Sequence, residues 1–197
     1  MNRSSKPFTL GNRETLIAVA IDLFQRQGYY ATGLNEILSV AELPKGSLYH
    51  HFRGGKTDLA IACAESLSEQ IVQYLQNALL QKQSYSELIA QLIAEMEVWL
   101  IENDWGCGSL FATLSHEAKP EDIELREAIN SCYENIQGAI FTVLREQGLK
   151  EEVARELSLS TLLSLEGALS LSSAMGSICP LKNAEALLLL SFEHRAQ

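Results

Sequence analysis

Residues 28–59 read GYYATGLNEILSVAELPKGSLYHHFRGGKTDL, and their punctuation decides the fold. Thr32 can cap a short helix carrying Ile37 and Leu38, a turn passes through Glu42–Pro44, and Gly46–Phe52 makes a second short helix. Arg53-Gly54-Gly55 then breaks the chain before a new helix start. Two short helices across a tight turn are a helix-turn-helix. The second of them is expected to expose Lys45, Ser47, Tyr49 and His50, with Gly46 beside them, while burying Leu48 and Phe52. Hydroxyls, an imidazole and a cation on one short face are the chemistry that reads base edges and clamps phosphates. A helix of that size fits the major groove. Thr32 and Lys56 each stand at an expected helix N-terminus, where free amides and the dipole favour a phosphate. His51 is open between a DNA contact and local packing.

Outward from this stretch the pattern stays helical. Long β-branched alternating runs are absent, and apolar residues recur at helical spacing. Upstream, Leu16, Ala20, Leu23 and Phe24 form one stripe that stops at Gly28. Downstream, a long helix runs from Lys56 to about Lys82, and Ser84 or Ser86 can cap the next, which buries Leu88, Leu92, Ile93, Met96 and Leu100. Asn103–Gly108 is a break. Pro120, followed by Glu121 and Asp122, is the expected start of a helix carrying Ile129, Tyr133, Ile136, Ile140 and Leu144, which ends at Gly148. Two more follow, near Lys150–Gly176 and Leu181–His194, separated by Pro180. The reading is an all-α chain of about nine helices. Residues 1–56 form a helix-turn-helix head of three helices and 57–197 a helical body, with the boundary inside the long helix from Lys56.

The net charge of −10 speaks against a polyanion partner only as a bulk figure. Residues 1–60 hold seven Lys/Arg against five Asp/Glu, while 61–197 hold eight against twenty. A weakly basic head on an acidic body suits a molecule that presents one end to nucleic acid. Four cysteines, Cys63, Cys107, Cys132 and Cys179, lie far apart without a CxxC pair, which supports neither a zinc site nor a disulfide framework. No metal site and no cofactor are expected. The opening MNRSSKPFTL has no apolar run behind its basic residues, so no signal peptide is read there. Leu157–Met175 is apolar but carries Glu166 and many serines, and Ala186–Phe192 is too short to span a bilayer. A cytoplasmic protein without a membrane partner is expected.

At the residues quoted first the chain resembles the tetracycline-repressor (TetR) family of bacterial regulators. The matching pattern is Gly28, Ala31-Thr32, Ile37, Ala41, Lys45–Phe52, Lys56 and Leu59, with KGSLYHHF its most specific part. The resemblance implies a homodimeric DNA-binding regulator, most often a repressor, with Thr32, Lys45, Gly46, Ser47, Tyr49, His50 and Lys56 at the DNA. Glu42 departs from the pattern, standing where a glycine commonly makes the turn. GLNEIL, RGGK, Gly106-Cys107 and Glu117 are more similar to the branch of lincomycin- and flavonoid-responsive (LmrA/YxaF-like) repressors. Serine and alanine positions among Leu157, Leu162, Leu163, Leu169 and Leu171 would let the last two helices of each subunit meet in a four-helix dimer interface. Two heads one DNA turn apart then read a pseudo-palindromic operator in double-stranded DNA.

The family places its effector cavity among the central helices. The candidates there are Met96, Trp99, Trp105, Cys107, Phe111, Tyr133 and Phe141, a set suited to an apolar or aromatic small molecule. His116 and Glu117 are candidate polar anchors. Cys107, flanked by glycines near an expected helix N-terminus, is also a candidate thiol or electrophile sensor, since the dipole there favours thiolate. An enzyme using Cys107 and His116 lacks an enforced geometry and an orienting third group, so no catalytic residues are assigned. A helical interaction module without DNA binding is the remaining alternative.

Overall fold

The computed structural model describes residues 11–195, so the opening segment and the charges of Arg3 and Lys6 lie outside the described residues. Within them there are nine α-helices and no strand. The head comprises α1 (Asn12–Gln27), α2 (Leu34–Val40) and α3 (Lys45–His51). Leu16, Ile17, Ala20 and Phe24 form the buried stripe of α1, which ends where Gly28 takes φ 93°. Leu48 and Phe52 fix α3 from beneath, as expected. The turn between α2 and α3 keeps a left-handed residue although glycine is missing: Glu42 sits there at φ 54°.

The body is built from five long helices and one short one. They are α4 (Lys56–Leu80), α5 (Tyr85–Glu102), α6 (Leu110–Glu117), α7 (Ile123–Glu146), α8 (Glu151–Met175) and α9 (Cys179–Arg195). α4 packs along α7, α7 against α8, α8 against α9, and α9 against α5, so the long helices close around a common core. The first turns of α4 also pack on α1, where the Cys63 thiol points at the Ile17 carbonyl, 3.6 Å away. Ser84 caps α5: its hydroxyl accepts the Glu87 N–H, and the Glu87 carboxylate accepts the Ser84 N–H at 2.8 Å.

Several boundaries differ from the sequence reading. The cap expected of Thr32 falls to Gly33, because the Thr32 hydroxyl is buried and donates to the Gly28 carbonyl at 2.7 Å. Pro120 does not open α7. It lies in a turn closed by the Lys119 N–H donating to the Asp122 carboxylate, and the helix begins at Ile123. Pro180 falls inside the first turn of α9, where a missing N–H costs nothing, rather than between helices. Helix α6, which the sequence signalled only as a helix start near Cys107, lies between α1 and α7 with Ser109 as its cap.

Candidate nucleic-acid interface and effector cavity

The outer surface of α3 carries Lys45, Gly46, Tyr49, His50 and His51, all exposed. Tyr49 is 47% exposed, although aromatic rings usually seek cover. The His50 and His51 rings meet edge to face at 4.8 Å, so His51 stands beside its neighbour with its own surface open. Ser47 departs from expectation: its Oγ is buried without a hydrogen-bond partner, because the residue faces partly inward between Lys45 and Leu48. Thr32 is wholly buried and its hydroxyl is committed to Gly28, so it shapes the turn instead of offering a free hydroxyl.

Lys56 opens α4, but its ammonium turns back to the protein. It donates to the Tyr30 carbonyl at 3.3 Å and lies 4.6 Å from the centre of the Tyr29 ring. Burial lowers its pKa, while the Glu117 carboxylate pulls in the opposite direction. Glu117 is therefore neither solvent decoration nor a cavity anchor. Its carboxylate accepts the Tyr30 N–H at 2.6 Å and lies against Gly28, where an added Cβ would push it aside. The Tyr30 hydroxyl donates to Asp122 at 3.3 Å, and the Gly108 N–H donates to the Gln25 carbonyl at 3.2 Å. These contacts tie the head to both ends of α6 and to the start of α7. His116 is exposed and joins none of them.

Inside the body an apolar cavity of about 130 Å³ is enclosed by α4, α5, α6, α7 and α8. Of the candidates, Met96 and Phe111 line it, and Tyr133 adjoins it, its ring 5.4 Å from that of Phe111. The other four lie elsewhere. Trp99 lines a shallow outer groove beside Glu95 and Val98. Trp105 sits in the α5–α6 loop, where its carbonyl accepts the Ser173 hydroxyl at 2.7 Å. Phe141 packs under the Arg155 guanidinium at 5.6 Å. Cys107 is buried two residues before the cap of α6, and burial pushes its thiol pKa up; Arg26, which opposes this, is outweighed. Burial thus opposes the thiolate that a helix start would favour, since the dipole of α6 acts on a group removed from water.

The sequence reading passed over the wall itself. Leu75, Leu88, Ile136, Leu165 and Leu169 look like ordinary core, and their periodicity could not separate cavity from packing. Glu166 had left a signal, since it is the one charge in the apolar run of α8. Its carboxyl lines the cavity, accepts the Ser109 hydroxyl at 3.0 Å, and is pushed up in pKa by burial against the pull of the Ser109 and Tyr133 hydroxyls.

Residues 16–63 match the family described as bacterial regulatory proteins, tetR family. Residues 86–187 match the C-terminal domain of LmrA/YxaF-like transcriptional regulators. The chain is 33% identical over 170 residues to the HTH-type transcriptional regulator LmrA of Bacillus subtilis, covering 86% of this chain and 90% of that one. It is 32% identical over 162 residues to the HTH-type transcriptional regulator YxaF of the same species, covering 82% and 84% of the two chains. Among solved structures it is similar to a TetR transcriptional regulator from Legionella pneumophila, with a TM-score of 0.79 at 21% identity over 93% of this chain and 98% of that one.

Proposed function

This chain belongs to the TetR family as a DNA-binding transcriptional regulator with an LmrA/YxaF-like C-terminal domain, and from that premise we propose that it is a homodimeric, effector-released repressor. The carrying observation is the surface of α3, where Lys45, Tyr49 and His50 stand exposed on a helix pinned from below by Leu48 and Phe52. A cation, a phenol and an imidazole held at rigid positions serve phosphate and base-edge contacts, and the acidic body turns that face alone toward the duplex. The proposed DNA contacts are Lys45, Gly46, Tyr49 and His50, with Ser47, Thr32 and Lys56 shaping the surface around them.

The proposed partner is a second copy docked through α8 and α9, which carry exposed Leu163, Leu171, Met175, Leu187 and Leu190. Neither enzymatic nor membrane activity forms part of this reading; no helix among the described residues is long and apolar enough to cross a membrane. The domains are a head over residues 1–56 and a body over 57–197, continuous through α4. Effector in the cavity acts by shifting the population of head separations. Cys107 supports a thiol-sensing version less well, since its sulfur is covered and its thiolate disfavoured.

Fluorescence anisotropy on DNA flanking the protein's own gene, at low and physiological salt, tests the reading. Wild type binds tightly and loses affinity steeply with salt. Tyr49→Ala binds about tenfold or more weakly with its fold intact, in line with about 1–3 kcal/mol for a base-reading contact. No binding to that DNA or to a pool of genomic fragments would refute it.

A further inference from the structure

Three features of the cavity wall converge on the chemistry of its ligand, given the reading that this cavity is the effector site. The first is the state of its hydroxyls. Thr161 donates to the Leu157 carbonyl at 2.7 Å, so the 2.7 Å contact between Tyr85 and Thr161 has the tyrosine as donor. Both protons are thereby used within the protein. The second is Glu166, whose Oε1 accepts from Ser109 while Oε2 is buried with no hydrogen bond made to it among the described residues, the Tyr133 hydroxyl lying near enough to favour the carboxylate but outside hydrogen-bond geometry. An ionised carboxylate only accepts, so what Oε2 lacks is a donor. The third is that no lysine or arginine lines the cavity, which leaves the carboxyl without a counter-ion there.

We infer that the effector is a small lipophilic amine, an apolar body whose single protonated nitrogen donates to Glu166. Water would meet only acceptors here, Glu166 Oε2 and the spare lone pairs of Tyr85 and Thr161, and would bring no charge to answer the carboxylate. A carboxylate ligand would set like charges together in an apolar enclosure. A neutral alcohol satisfies the acceptor but leaves the charge unmatched, whereas an ammonium answers both needs through a charge-assisted hydrogen bond. The volume of about 130 Å³ sets the size. An engineered apolar cavity of about 150 Å³ admits benzene, so a one-ring or short-chain amine fits without opening the bundle.

Benzylamine, benzyl alcohol and benzoate share one ring and differ in the head group. Isothermal titration of the full chain with each, in wild type and Glu166→Gln, reads the charge directly. Wild type binds benzylamine about tenfold tighter than benzyl alcohol, and Glu166→Gln removes that advantage while holding the alcohol within about threefold. Met96→Trp, which fills the cavity, abolishes binding of both. The assignment is overturned if benzoate binds as well as benzylamine, or if no member of the series binds. Unchanged amine affinity in Glu166→Gln or in Met96→Trp overturns it equally. Operator binding is followed in the same samples without ligand. Loss of DNA binding with the amine preference intact removes the regulator reading alone, and DNA binding without the amine preference removes the ligand assignment alone.

Discussion

Substituting Leu163 by Asp on α8 probes the link between dimer and operator. Leu163 is 64% exposed, and Leu171, Met175, Leu187 and Leu190 are 56%, 63%, 63% and 63% exposed, while Gly167 has no atom within 4 Å of where a Cβ would stand. Fully burying a leucine or methionine contributes about 1.5–3 kcal/mol, so seating the exposed three-fifths of each against a partner contributes about 1–2 kcal/mol. A twofold interface repeats every substitution, and Leu163→Asp also places two carboxylates in an apolar seam. The dimer should lose at least about 4 kcal/mol, a thousandfold in its dissociation constant. Because Leu163 lies on the outside of the single chain, helicity by circular dichroism should be unchanged. Sedimentation velocity across a concentration series then shows monomers where wild type is dimeric, and affinity for a palindromic operator collapses with it. A variant that dimerises like wild type, or a monomer that binds the operator as tightly, would refute the reasoning.

Glu42→Gly replaces a side chain held at φ 54° and should stabilise the head by about 1 kcal/mol, raising the melting temperature by roughly 2–4 °C; an unchanged or lower melting temperature counts against the strain. Burial raises the Glu166 pKa above its ordinary 4.5, so wild type loses stability as pH climbs from that value through the raised one, by up to about 1.4 kcal/mol per pH unit. Glu166→Gln does not titrate, and its melting advantage over wild type should widen as pH rises above 4.5 and level off once the raised pKa is passed; a constant gap would contradict it. Of four cysteines only Cys179 is exposed, so Ellman's reagent should label one thiol per native chain quickly and the other three on unfolding. Rapid labelling of Cys107 in the Cys179→Ser variant would reopen the thiol-sensing alternative.

The fold was legible because its signals are local. Gly28, Ser84 and Gly148 end or cap helices through their own backbone or side-chain chemistry, and the KGSLYHHF run fixes both the buried and the exposed faces of α3. The head's surface was legible for the same reason, except where a side chain's direction depends on its neighbours. Ser47 turns partly inward and Thr32 is consumed by Gly28, neither of which is written in the spacing. The cavity was harder to read, since an apolar residue facing a void and one facing another side chain have the same periodicity. Aromatic residues were poor guides to it: Trp99 and Phe141 cover outer grooves, while leucines and isoleucines make most of the wall. Pairings such as Glu117 with Tyr30, 87 positions apart, follow only from tertiary packing.

Those long-range pairings bear on how a cavity could speak to a head. Helix α6 spans eight residues, too short to be stable alone, so its position is set by what grips it. At its start, Ser109 caps the Ala112 N–H and donates to Glu166 in the cavity wall. At its end, Glu117 accepts the Tyr30 N–H of the head. Phe111, between them, lines the cavity. A ligand on the free oxygen of Glu166 thus acts one hydrogen bond from the cap of a helix whose other end holds the head. The leverage is bounded by the ligand's differential affinity for the two head positions, and the tie it works through is charge-assisted but solvent-facing, worth about 1 kcal/mol after screening. In a dimer the same displacement occurs in both subunits, so small losses at each head multiply in operator affinity. On this reading the acid that marks the apolar run of α8 as no membrane span is also the group through which the cavity reaches the DNA.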